Sequence, residues 1–88
     1  MEFVRLIDEA LCTIKKEAKD ESRAIFFDRY EKMIIYLEKV KIVYLEKRLK
    51  NDNVYLSIVK MLDHGDSEEM QEAVYRINDY YREKIYKK

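Results

Sequence analysis

The chain has 88 residues, 18 Lys plus Arg against 18 Asp plus Glu, one Gly, no Pro, one Cys, one His and no Trp. An apolar share of 48% is too high for a disordered tail, a charged share of 41% is too high for a membrane span, and one cysteine cannot form an internal disulfide. The expectation is a single helical domain over residues 1–88, intracellular and cytoplasmic, with no membrane span and with a core small enough for a partner to add stability.

Without Pro and almost without Gly, the chain lacks the residues that punctuate hairpins and break helices. Breaks are expected only at Asp20-Glu21-Ser22, Asn51-Asp52-Asn53 and His64-Gly65-Asp66-Ser67, where cap-type residues cluster. The predicted fold is all-α, a small four-helix bundle with a long, doubly packed second helix. Its helices are placed at about 2–19, 22–50, 53–63 and 67–87.

The first helix gathers Phe3, Val4, Ile7, Ala10, Leu11, Ile14 and Ala18 in one sector, at about 100° per residue, with Cys12 on the charged side. The second carries Phe26, Tyr30, Met33, Leu37, Val40 and Tyr44 at alternating spacings of four and three. A second stripe runs through Ile25, Phe27, Ile34, Ile35, Ile42, Leu45 and Leu49, and two stripes call for two packing partners. At 1.5 Å per residue this spine would run about 42 Å. Helices one and three are expected end to end and antiparallel along one stripe, with helix four parallel along the other. An up-down bundle with a protruding spine is the alternative. Glu31, Glu38 and Lys41 fall in or beside the second stripe and must pair or reach solvent. If the stripe is left open, a second subunit is its natural cover.

The third helix is read from Val54, Tyr55, Ile58, Val59, Met61 and Leu62, with Lys60 and Asp63 outward. Gly65 is expected in the left-handed cap conformation, and Asp66 with Glu69 in a capping box. The fourth helix sets Met70, Ala73, Val74, Ile77, Tyr80, Tyr81 and Ile85 opposite Glu68, Glu72, Asp79, Arg82 and Glu83.

Catalytic arrangements find little support. His64 and Cys12 belong to different helices and nothing local activates either. The acidic residues around His64 are better read as caps of a helix junction than as metal ligands. One glycine cannot build a phosphate loop or a nucleophile elbow. No enzyme activity, no cofactor and no metal are therefore expected.

Apolar and aromatic residues off the core face carry more meaning. Tyr36 and Val43 project together on the spine among basic residues, Tyr75 and Tyr86 sit beside Arg82 on the last helix, and Leu56 departs similarly on the third. Tyrosine and arginine are enriched at protein interfaces. The reading is a non-enzymatic helical protein-interaction module, a small accessory subunit or regulator that docks on a larger protein or self-associates as a homodimer. Its partner-binding residues would be Tyr36, Val43, Tyr75, Arg82 and Tyr86. The alternative is a nucleic-acid-associated regulator using Lys39, Lys47 and Lys50 with Lys87 and Lys88. A pI near 6.6 and the scatter of these lysines around the helix weigh against it. Richness in Lys, Glu, Ile and Tyr with few amides fits a thermophilic source or an AT-rich genome, and a virus- or plasmid-encoded inhibitor is a third reading that composition permits without supporting.

Overall fold

The computed structural model describes residues 2–46, 58–63 and 65–85. Three α-helices, α1 (Glu2–Ala18), α2 (Phe27–Leu45) and α3 (Glu68–Tyr80), are joined by 3-10 turns at Glu21–Phe26 and Val59–Met61, and a π-helical turn at Tyr81–Ile85 follows α3. No strand occurs among the described residues. The all-helical class is as expected; among the described residues three α-helices are present, and a four-helix bundle is not confirmed.

α1 is the central element. Its buried residues Phe3, Leu6, Ile7, Ala10, Leu11, Thr13, Ile14 and Glu17 cover a sector about 160° wide at 100° per residue, enough for two neighbours. One flank of α1 meets α2, through Asp8 with Lys41 and Lys15 with Glu38. The other meets α3, through Lys16 with Glu69 and Glu17 with Ser67. These contacts make α1 antiparallel to both α2 and α3, which run parallel to each other. The ring of Phe3 joins all three helices, 4.8 Å from Tyr44 and 5.7 Å from Tyr80. The doubly packed helix is therefore the first and not the second. The first helix is antiparallel to the spine and the last parallel to it, as predicted, whereas the last helix packs on α1 and not on the spine.

The spine is also shorter than predicted. Asp20 caps the turn that precedes it, its Oδ1 accepting from the Ser22 N–H at 3.0 Å and the Ser22 hydroxyl at 2.8 Å. Arg23 then leaves helical geometry (φ −114°, ψ 18°), so residues 21–26 form a 3-10 turn and α2 begins only at Phe27. The Arg23 guanidinium donates to the Gly65 carbonyl at 2.7 Å and lies 3.6 Å from Glu17, tying this bend to both neighbouring segments. α2 closes at Glu46, whose N–H reaches the Ile42 carbonyl. Its 19 residues span about 28 Å. The remainder of the predicted spine, Lys47–Lys50 with Leu49, lies outside the described residues.

Of the predicted third helix, Asn53–Ser57 lie outside the described residues, and Val59–Met61 form a single 3-10 turn that ends where Leu62 becomes extended (ψ 152°). Two details of the following junction correct the reading of its caps. Ser67 is the N-cap of α3, its Oγ accepting from the Met70 N–H at 3.1 Å, because Asp66 is drawn away to Arg29. Gly65 does not adopt a left-handed φ. It is needed for closeness, since a Cβ there would lie 3.0 Å from the Phe26 ring and 3.2 Å from the Asp63 carboxylate.

Candidate functional site

α2 divides its apolar residues between two faces. Tyr30, Met33, Leu37 and Val40 are buried against the rest of the core. On the far side Ile35 is 66% exposed and Ile42 55% exposed, with Phe27 and Leu45 nearly half exposed at the edge nearest α1. Ile35 and Ile42 are two helical turns apart, about 10.5 Å, and project in nearly the same direction. Branched aliphatic side chains exposed to this degree leave roughly 1–2 kcal/mol each of burial free energy unused within the chain. Ile25, 85% exposed, lies apart from them in the 3-10 turn.

The charges that accompany this face are ordered. Glu31, Glu38, Lys32 and Lys39 are all exposed. Glu38 lies 3.6 Å from Lys15 across the border with α1, and Lys41 reaches Asp8 at 2.8 Å. Between these two ion pairs runs an open groove of about 670 Å³, floored by Leu11, Cys12, Ile42 and Leu45. The spine charges that had to pair or reach solvent do so: Glu31 is exposed, while Glu38 and Lys41 each have a partner on α1.

The partner-binding residues read from the sequence are distributed differently. Tyr36 and Val43 are half-buried and pack against the core, so they lie at the shoulder of α2 and not on its open face. They are therefore less exposed than the off-face argument expected. Tyr75 is 46% exposed on α3, and Arg82 is exposed in the π-helical turn. They belong to the helix on the opposite flank of α1 and do not extend the α2 face. Lys39 is exposed beside Ile35 and Ile42. Leu56, Tyr86, Lys47, Lys50, Lys87 and Lys88 lie outside the described residues, as does His64.

A second polar cluster is a fastener of the fold. Arg29 forks onto Asp66 with bonds of 2.9 and 2.6 Å, donates to the Met61 carbonyl at 2.8 Å, and lies 5.1 Å from the ring centres of both Phe26 and Tyr30. Asp66 also accepts from the Asp63 N–H at 2.9 Å and the Tyr30 hydroxyl at 3.3 Å. Burial by itself would raise the Asp66 carboxyl, but the Arg29 fork and the Asp63 N–H outweigh it and hold the group below the usual carboxylate range. Burial pushes the Tyr30 hydroxyl up. The Arg29 guanidinium and both Asp66 carboxylate oxygens are engaged by partners within the chain, as in a structural clasp.

Among the described residues no group of His, Cys, Asp and Glu is placed to hold a metal ion, and no helix is long and apolar enough to cross a membrane. No family model, no curated protein and no solved structure matches this chain.

Proposed function

We propose that the protein is a helical interaction module, acting by docking rather than by chemistry of its own, and that the solvent face of α2 is its docking surface. The observation that carries this reading is the pair Ile35 and Ile42, more than half exposed in the middle of a helix whose opposite side is buried. An exposed isoleucine is common singly, but here two stand in register on one helix, with Leu45 next to Ile42 along the same groove. Charged residues border it, as at the polar rim of a protein interface.

The test is recovery of the tagged protein with whatever chain is bound to it, a second copy included, from its native cells. Wild type is compared with Ile35→Glu plus Ile42→Glu, a variant checked for unchanged helical circular dichroism. The reading expects the bound species to be lost from the variant. Equal recovery by both would overturn it.

A further inference from the structure

The open face of α2 has a left and a right. At about 100° per residue, Ile35 and Ile42 form its middle row, Glu31 and Glu38 fall on one side, and Lys32 and Lys39 fall on the other. Asp28 and Glu46 close the row at its two ends. Phe27 and Leu45 widen the apolar area on the glutamate side, where Glu38 is held only by the exposed pair with Lys15. Such a pair is worth about 1 kcal/mol or less and is readily exchanged.

We infer that the occupant of this face is a second copy of the same chain, with the two α2 helices side by side and parallel. The inference rests on the reading of α2 as the docking surface and adds the partner and its direction. A two-fold axis running along the helices turns the glutamate side of one copy onto the lysine side of the other. Glu38 then stands level with the partner's Lys39, and Glu31 with the partner's Lys32, while Ile35 and Ile42 meet their own counterparts. A two-fold axis across the helices keeps each side facing its like: glutamate meets glutamate and lysine meets lysine. Like charges brought together at an interface are costly, so the order of charges selects the parallel pair. The lateral charges are thus complementary in the parallel direction only, while Asp28 and Glu46 at the ends of the row meet acidic residues in either direction.

Two measurements decide this. Light scattering after size exclusion, over a dilution series, is expected to give the mass of two chains for the wild type. Glu31→Lys with Glu38→Lys makes both sides basic, and Lys32→Glu with Lys39→Glu makes both acidic. Each is expected to weaken the pair by about tenfold or more, and an equimolar mixture of the two to restore it. Direction is read by oxidative cross-linking in a Cys12→Ser background. Ile42→Cys is expected to link to itself, whereas linkage only in a mixture of Ile35→Cys with Ile42→Cys shows the antiparallel pair and overturns the inference. A wild type that is monomeric at every concentration also overturns it. If the recovery experiment still finds a chain lost with Ile35→Glu and Ile42→Glu, the docking surface stands with a different partner.

Discussion

Arg29 and Asp66, on α2 and in the segment before α3, meet through two parallel N–H···O bonds of 2.9 and 2.6 Å, with the carboxylate side chain fully buried. The pair fixes the approach of the 58–67 segment to the start of α2, and its geometry is of the kind that makes a buried ion pair effective.

Asp66→Asn is expected to cost about 3 kcal/mol at neutral pH, because it leaves the Arg29 charge without its partner. The pH dependence follows from the direction of the shift. The Asp66 carboxyl is held below its unfolded value, so its contribution is complete above the unfolded pKa of about 3.9 and is lost as pH falls through the lower, folded value. Urea unfolding between pH 2 and 7 should show a decline on the acid side that is shallower in Asp66→Asn.

Phe3→Ala should be among the most damaging single changes, at about 3–5 kcal/mol, since it empties the point where all three helices meet. Thermal and urea unfolding of the variant measure this directly. Tyr44→Ala combined with Phe3→Ala should cost less than the sum of the two, as expected for rings in contact.

Gly65→Ala probes closeness and not backbone handedness. The added methyl is expected to cost about 1 kcal/mol through its contact with Phe26. Phe26→Leu in the same chain should then reduce that penalty, a coupling read from a double-mutant cycle. A full penalty unchanged by Phe26→Leu would point instead to the Asp63 carboxylate.

Ile35→Glu with Ile42→Glu should leave the unfolding free energy of the isolated chain within about 0.5 kcal/mol of the wild type, because neither side chain is buried within it. A loss of several kcal/mol would place these residues in the core. The measurement belongs at a concentration low enough that association adds nothing.

The periodicity of α2 made its two apolar stripes legible, and the structure buries the stripe of Tyr30, Met33, Leu37 and Val40 as expected. Which helix would take two neighbours was not legible. Spacing shows that a face is apolar, but it does not say what covers it. The burial of Leu6, Thr13 and Glu17 widens the packing sector of α1 beyond the predicted apolar stripe, two of them being polar, and α3 uses that extra width. For the same reason Ile35 and Ile42 were legible only as part of a stripe that a second subunit would cover if it were left open. Arg29 and Asp66 are too far apart in the chain for any local rule to join them, and that pairing moved the cap of α3 by one residue to Ser67.

The placement of Phe3 also bears on how the molecule is made. Phe3 rests on Tyr80, so the aromatic junction is completed only once α3 has been synthesised. Until then α1 can rest on α2 through Tyr44, with the flank reserved for α3 still open to water. A nascent chain in that state shows an uncovered apolar side of α1, and the docking of α3 is the step that covers it.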